Sequence, residues 1–270
     1  MYENDKFSKS RNVGVFGNHV KESQIPMSVW RYTLLANRPE TADSNFSWAD
    51  LIHRCNSELL ANVGNLINRA VKFCKAKYDS QMPELVETEM ERKLFADVDE
   101  LLGHYKANME VTKFRAALFN AMTIASKGNL YLTEMKLDNT LFANEPERCG
   151  TAIATILNLA YFLSALFYPF MPSTSDSICR QLNAPLRMMP QKMSVVLFGG
   201  HEIDAPEYLF TRIDEKRGKE LYMKYGGAAI EAAKEAAKLK KKEDAKRKKE
   251  AAKKASSATN PEETTPPCAR

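Results

Sequence analysis

Two lysines and two serines lie within five residues near the start of the chain, in the run Lys6-Phe7-Ser8-Lys9-Ser10. Ammonium groups and hydroxyls at this spacing on a short polar loop suit the oxygen atoms of an ATP triphosphate. A flexible lysine that reaches a leaving pyrophosphate mainly in the transition state would lower the barrier electrostatically. On these five residues alone, a solvated basic segment is an equally good interpretation.

A second pair of candidate residues, Asn65 and Arg69, lies on a predicted helix. A spacing of four residues places both side chains on the same helix face. An amide beside a guanidinium suits hydrogen bonding to the edge of an unstacked RNA base, on which arginine can also stack. Spacing alone favours a simpler interpretation, in which the arginine is solvated and the asparagine belongs to an ordinary polar turn.

Both sets of residues belong to a longer pattern that continues in one register. It reads K-F-S-K-S-R-N-V-G-V-F-G from residue 6, then I-P-M-S-V-W-R-Y-T-L-L, R-P-E and F-S-W-A-D-L. Residues 6 to about 225 resemble the cytosolic eukaryotic-type methionyl-tRNA synthetases, and the first run resembles their KMSKS signature, with Phe7 where Met is usual. The resemblance implies a signature loop that closes a catalytic domain, a short connecting helical region, and an α-helical bundle that reads the anticodon. The chain would then be the C-terminal part of such an enzyme.

The resemblance also implies roles for individual residues. It assigns the pyrophosphate contact to Lys9 as the catalytic lysine, with Lys6, Phe7, Ser8 and Ser10 completing the ATP-binding loop. The segment Gly64-Asn65-Leu66-Ile67-Asn68-Arg69 matches the helix that contacts the anticodon, which reverses the preference in favour of Asn65 and Arg69 as anticodon-binding residues. Asp138 and Asn139 stand where the family usually has Pro-Trp after Gly-Asn-x-Tyr, and they are further candidates for hydrogen bonds to a base.

Several family features are not found in this sequence. Residues 1–270 contain neither a Rossmann-type nucleotide fold nor an upstream HIGH-type sequence, and Gly17-Asn18-His19-Val20 lies downstream of the signature, where His19 is interpreted as a plain loop residue. Asp5 replaces the usual Gly, and its carboxylate could repel a triphosphate. We therefore expect no aminoacylation by this chain alone. ATP with Mg²⁺ would be a substrate that also requires the catalytic half.

Three functions remain open at this point. The first is the C-terminal part of a methionine-tRNA ligase, with tRNA(Met), a separate or missing catalytic half and other synthetase-complex proteins as candidate partners. The second is a free-standing tRNA-binding module that activates no amino acid. The third is a purely structural helical protein with an accidental signature.

Charge and cysteine content narrow the class of protein. The net charge is +5, but residues 228–255 contain eleven basic and five acidic residues, whereas residues 1–227 are balanced. The basic tail would attract phosphate backbones or serve as a solvated extension, and the sequence favours neither. A polar N-terminus predicts no secretory signal, so we expect a cytoplasmic protein. No zinc site or disulfide framework is predicted from the five widely spaced cysteines, Cys55, Cys74, Cys149, Cys179 and Cys268.

Hydrophobic periodicity predicts a mostly α fold: a helical-bundle anticodon-binding domain, preceded by the end of a catalytic domain and followed by a basic helical tail. The predicted division is 1–45, 46–227, 228–256 as a basic helix, and 257–270 as a disordered tail. Predicted helices span 26–35, 47–77, 87–108, 111–126 and 148–168, a short one ends at Met135, and another runs from a Ser173 cap to Leu182. Gly128-Asn129 is predicted to break the chain, and Met193–Phe198 to form a strand. The helix at 148–168 is predicted to be the central helix of the bundle, too short and interrupted to span a bilayer.

Overall fold

The computed structural model describes residues 1–40 and 42–257, with side chains described through residue 251. Within this part the mostly α prediction is confirmed, because helices dominate and pairing of extended segments is limited to isolated bridges. The helices are α1 (Gly17–Glu22), α2 (Met27–Ala36), α3 (Trp48–His53), α4 (Asn65–Lys77), α5 (Glu89–Glu110), α6 (Phe114–Glu134), α7 (Asn139–Asn144), α8 (Pro146–Phe167), α9 (Pro172–Gln181), α10 (Glu215–Tyr222) and α11 (Ala228–Ser257), with π-helical segments π1 (Arg54–Gly64) and π2 (Met223–Gly227). The predicted disordered tail, residue 257 excepted, lies outside the described residues.

One continuous helical rod runs from Trp48 to Lys77, as the sequence predicts, and comprises α3, π1 and α4. The Ser47 hydroxyl caps it by accepting a hydrogen bond from the Asp50 backbone N–H at 3.4 Å. Its wide π-helical middle was not predicted. Within π1, the Asn56 amide pairs with the Ile213 backbone at 2.7 and 3.0 Å, which fixes the C-terminal segment against the rod. The apolar side of the rod is fully buried at Leu51, Leu59, Val63, Leu66 and Val71.

The central helix of the bundle is α8, as predicted from its nearly continuous apolar sequence. Every residue from Cys149 to Phe167 is buried. The prediction that this helix is too short and interrupted to span a membrane was wrong, because its 22 residues contain an 18-residue window with a mean hydropathy of 1.6, which satisfies length and composition. The whole apolar window, however, is buried inside the described structure, as expected for the core helix of a bundle.

Helix α6 continues through Gly128 and Asn129, where the sequence predicted a break. Gly128 faces the core, and a Cβ added there would lie 2.7 Å from Leu159 Cδ2 and 3.0 Å from Leu66 Cδ2. The glycine therefore allows three helices to approach closely and does not end one. The polar connection predicted next contains a further short helix, α7, which begins at Asn139.

Two other local predictions were wrong. Residues 193–198 form no strand. The backbone N–H groups of Val196 and Leu197 instead donate hydrogen bonds to Oδ1 of the buried Asn158 side chain, at 2.8 and 2.9 Å. Met193 and Leu197 are therefore buried without a neighbouring strand among the described residues. Ser173 does not cap α9. That helix begins at Pro172, and the Ser173 hydroxyl instead lies 2.8 Å from that of Ser28.

The N-terminal segment and the segment just before α11 meet in an aromatic cluster. Trp30 and Trp48 are 3% and 2% exposed, so both pack inside the described structure. The Trp48 ring packs edge-on against Trp30 at 5.5 Å and stacks with Tyr225 at 5.9 Å, while the Trp48 indole N–H donates to the Tyr2 hydroxyl at 3.0 Å. Residues before 46 thus pack directly on the helical body, and the division at residue 45 stays a prediction.

Candidate functional site

The signature residues form the arm and turn of a tight hairpin. Ser8 and Val13 exchange both backbone hydrogen bonds, N–H to O, at 2.9 Å, and the Asn12 N–H donates to the Lys9 carbonyl at 3.1 Å. Asn12 adopts a positive φ of 51°, a conformation that asparagine tolerates better than most residues. Lys9 therefore lies at the start of the turn.

The polar groups of the hairpin are available to a ligand. Lys6 and Lys9 are both exposed, and neither forms an ion pair with a described residue. The hydroxyls of Ser8 and Ser10 lie 3.3 Å apart. The structure thus brings two ammonium groups and two hydroxyls together on one hairpin, a donor set that suits phosphate oxygens.

Phe7 anchors this hairpin, although the sequence marked it only as a departure from the family's usual Met. Its ring covers Gly14, where an added Cβ would lie 2.4 Å from Phe7 Cδ1. The ring also lies 5.6 Å from that of Tyr2 and 6.2 Å from that of Phe16. The aromatic side chain therefore holds the arm between the two lysines against the body.

The carboxylate of Asp5 has a local partner. Arg11 Nη1 lies 3.5 Å from Asp5 Oδ2, and the Lys6 backbone N–H donates to Asp5 Oδ1 at 2.7 Å. Both side chains of the ion pair are partly exposed, so the pair contributes little to stability. Its consequence is electrostatic, because Arg11 offsets the negative charge that Asp5 would present to a triphosphate.

The back of the hairpin rests on the C-terminal segment, a contact that sequence reasoning missed. The Gly14 N–H donates to the Tyr225 carbonyl at 3.4 Å. Gly226 has a φ of +110°, and a Cβ there would lie 2.8 Å from Val13 Cα. His19 lies on α1 and stacks on the Tyr225 ring at 4.6 Å, so its interpretation as a plain loop residue was wrong. The Gly226-Gly227 pair was the available signal for a close backbone approach.

Asn65 and Arg69 occupy successive turns of α4 on its outer side. Leu66, Ile67 and Ala70 are buried, which fixes the rotation of the helix and leaves Asn65 exposed and Arg69 half-buried. Among described residues, neither side chain has a hydrogen-bond or ion-pair partner. The amide and the guanidinium are therefore both free to bind a ligand from solvent.

A hydrogen-bond network fixes the helix just before this pair. Asn62 Nδ2 donates to the Ser126 hydroxyl at 3.0 Å and to the Met122 carbonyl at 3.1 Å, and Asn129 Nδ2 donates to Asn62 Oδ1 at 2.9 Å. The network joins π1 to α6. Asn129, which the sequence placed at a chain break, thus holds in position the rod that carries Asn65.

Asp138 and Asn139 lie at the start of α7. Asp138 Oδ1 caps this helix by accepting from the Thr140 and Leu141 N–H groups, both at 2.8 Å. Asn139 is exposed. One Asp138 oxygen is therefore occupied by the backbone, so the residue is first of all a helix cap.

Aromatic packing places α7 at one end of the row that contains Asn65 and Arg69. The Phe142 ring lies 6.3 Å from that of Phe73, which is one turn beyond Arg69 on α4. Lys77 Nζ, one turn further along, lies 5.5 Å from the centre of the Phe142 ring. The predicted anticodon-binding residues of α4 and the α7 helix therefore border a common surface.

Two known families match this chain. The family described as "Anticodon binding domain of methionyl tRNA ligase" matches residues 83–230, more than half of the chain. The chain belongs to the methionyl-tRNA ligase family. Residues 1–71 match the family described as "tRNA synthetases class I (M)", so this methionyl-tRNA ligase family member covers part of a class I catalytic domain and the anticodon-binding domain.

Relatives in the methionyl-tRNA ligase family come from fungi and animals. The chain is 48% identical to a probable cytoplasmic methionine-tRNA ligase of Schizosaccharomyces pombe, over 84% of this chain and 30% of the relative. The cytoplasmic enzyme of Saccharomyces cerevisiae is 45% identical over 85% of this chain, and that of Homo sapiens is 36% identical over 87%. The chain spans less than a third of the length of each of these relatives, 31% and 27% in the last two.

Solved structures agree on the fold. The Mycobacterium tuberculosis methionyl-tRNA synthetase in complex with methionyl-adenylate matches with a TM-score of 0.70 and 21% identity, over 78% of this chain and 43% of that one. The apo form of the same enzyme matches with a TM-score of 0.67. At this identity the likeness concerns the arrangement of helices alone.

Proposed function

We propose that this chain supplies the ATP-loop lysine and the anticodon reader of a cytoplasmic methionine-tRNA ligase. The reaction converts ATP, L-methionine and tRNA(Met) to methionyl-tRNA, AMP and pyrophosphate. MgATP enters as a substrate, and tRNA(Met) is the macromolecular partner. A catalytic half with a Rossmann-type nucleotide fold, and other proteins of a synthetase complex, are the further partners of this proposal.

The observation that carries the proposal is the free pair Asn65 and Arg69 on a rigid helix of the matched family. The Asn65 amide can both donate to and accept from a base edge. The Arg69 guanidinium can donate two parallel hydrogen bonds or stack on a base that has left the anticodon stack. Because Leu66 and Asn62 fix the helix, binding of a base has to order the two side chains but not the backbone that carries them.

At the hairpin, Lys9 binds the pyrophosphate oxygens as negative charge develops on them. An exposed lysine at the start of a turn, free of ion pairs with described residues, can move toward the phosphates when they arrive. Lys6 and the hydroxyls of Ser8 and Ser10 hold the triphosphate. Loss of one such contact at the transition state costs about 2.7–4 kcal/mol.

Binding to two tRNAs tests the proposal. The full chain is titrated into a fluorescent tRNA(Met) with its CAU anticodon, and into the same tRNA with that anticodon replaced, at ~150 mM KCl. We expect a preference for CAU that Asn65→Ala and Arg69→Ala each abolish. Lys75→Ala removes one positive charge from the exposed side of the same helix and should keep the preference. Equal binding of both tRNAs by the unmodified chain would refute the proposal.

A further inference from the structure

Helix α11 projects from the described structure along most of its length. Ile230 is the last buried residue among the side chains described, and every residue from 231 to 251 is exposed. At ~1.5 Å per residue, about 32 Å of helix stands clear of the body. A helix that is polar on all sides buries no apolar face. It is stabilised by side-chain pairs along its own surface or by contact with a binding partner.

The acidic residues in the exposed helix beyond residue 236 gather on one side. With ~3.6 residues per turn, Glu243, Asp244 and Glu250 fall within a sector of about 120°. Lys240 and Arg247 lie in the same sector, and Glu243 stands four residues before Arg247, the favourable order for a pair. This side of the helix is therefore close to electrically balanced.

On the opposite side, between residues 236 and 251, all charged residues are lysines. Between residues 236 and 251, a second sector of about 120° contains five lysines and no acidic residue. We call it the lysine face, and it consists of Lys238, Lys241, Lys242, Lys248 and Lys249. It extends over about 17 Å. Between residues 236 and 251, the charged residues are thus distributed unequally around the helix.

The root of the helix is fixed to the body. Tyr222 donates its hydroxyl to Glu231 Oε1 at 2.8 Å, and Lys234 Nζ lies 3.1 Å from the same oxygen. The bend at Gly226, immediately before α11, packs on Asn12 and Val13 of the signature hairpin. The lysine face therefore begins about 12 Å beyond Ile230, on a helix whose root is fixed beside the hairpin.

We propose that the lysine face binds the phosphodiester backbone of tRNA. The proposal rests on the proposed function for the identity of its RNA partner. Ammonium groups are point charges that neutralise phosphates without reading bases, so this face adds affinity and not anticodon preference. A membrane surface fits less well, because an interfacial helix needs a face of bulky apolar residues and Leu239 is the single one among the exposed residues 231–251.

Two matched double variants of the full chain test the proposal. Lys242→Gln with Lys249→Gln removes two charges from the lysine face, seven residues apart. Lys240→Gln with Arg247→Gln removes two charges at the same spacing from the balanced side. Both variants have the same net charge, and circular dichroism checks that both keep the helix. The dissociation constant for CAU tRNA(Met) is measured at ~50 and ~200 mM KCl, and binding to phosphatidylserine vesicles is measured in parallel.

We expect the face variant to bind tRNA more weakly than the unmodified chain at both salt concentrations, with a loss about twelvefold larger at ~50 than at ~200 mM KCl. Its plot of log affinity against log salt should be less steep by about 1.8, at ~0.9 per lost phosphate contact. The balanced-side variant should change affinity by less than about twofold, and both should keep the CAU preference of the unmodified chain.

Equal weakening by the two variants would overturn the proposal, since net charge alone would then explain the binding. Vesicle binding that only the face variant loses, with tRNA binding unchanged, would also overturn it and assign the face to a membrane. A chain without CAU preference whose tRNA binding still depends on the lysine face would refute the proposed function and leave this proposal standing.

Discussion

The buried carboxylate of Glu91 joins helices α5 and α6. Removal of one of its hydrogen-bond donors should lower the free energy of unfolding by a measurable amount. Glu91 is 0% exposed and accepts hydrogen bonds from the Thr88 backbone N–H at 2.8 Å, the Thr88 hydroxyl, and the Tyr131 hydroxyl. Tyr131→Phe removes one hydrogen bond to a charged group, at a cost of about 1.5–3 kcal/mol in the free energy of unfolding. For a chain of this size that lowers the Tm by about 3–12 °C.

The cost of Tyr131→Phe should depend on pH. Burial alone would raise the pKa of Glu91, but the hydrogen bonds from Thr88 and Tyr131 outweigh it and hold the pKa below its ordinary value. A carboxyl group with a lower pKa in the folded state stabilises the fold fully above its unfolded pKa of ~4.3, and this stabilisation is lost as pH falls through the folded value. Because Tyr131→Phe weakens that stabilisation, its cost should be largest at neutral pH and smaller below about pH 4.

Tyr105→Phe is the matched control. Tyr105 is 1% exposed and donates to the neutral Leu166 carbonyl at 2.8 Å. Loss of this hydrogen bond should lower the free energy of unfolding by about 1 kcal/mol, and by the same amount at neutral and acidic pH. Urea unfolding, followed by circular dichroism at neutral and acidic pH, measures the free energy of unfolding of the unmodified chain and of both variants. A cost of Tyr131→Phe below about 0.5 kcal/mol at neutral pH, or one that does not change with pH, would refute the reasoning.

Two further substitutions test how the candidate sites are held in place. Gly226→Ala forces a side chain into a φ of +110° and within 2.8 Å of backbone, so amide exchange in the signature hairpin should accelerate about tenfold or more. Gly17→Ala, whose Cβ meets nothing within 4 Å, should leave that exchange unchanged, and equal effects would contradict the prediction. Asp138→Ala removes the cap of α7 and should cost about 1 kcal/mol in urea unfolding, whereas the exposed Asn139→Ala should cost less than about 0.5 kcal/mol.

Local sequence signals predicted the parts of the fold that depend on apolar spacing. The rod from Trp48 to Lys77 and the central helix α8 follow from regular burial on one side or all sides of a helix. Gly128 could not be interpreted in the same way, since a glycine that ends a helix and one that admits a neighbouring helix look alike in sequence. Only the positions of Leu159 and Leu66 distinguish them.

At the candidate sites too, local sequence patterns identified single residues but not their long-range contacts. Residue types and the family resemblance singled out Lys9, Asn65 and Arg69, and the structure describes all three as unpaired with other described side chains. The support for the hairpin comes from Tyr225 and Gly226, more than 200 residues away in sequence. No local pattern encodes such a contact, because it depends on how the whole chain folds back.

A double-mutant cycle between Arg69 and the anticodon tests the central claim most directly. Full-length chains with and without Arg69→Ala are titrated against tRNA(Met) and against three tRNAs that each carry one exchanged anticodon base. If Arg69 reads the anticodon, one exchange should couple to Arg69→Ala by about 1–3 kcal/mol, while Lys75→Ala should couple to none beyond about 0.3 kcal/mol. Equal weakening of all four tRNAs by Arg69→Ala would contradict the account, because Arg69 would then be a phosphate contact and not a reader of bases.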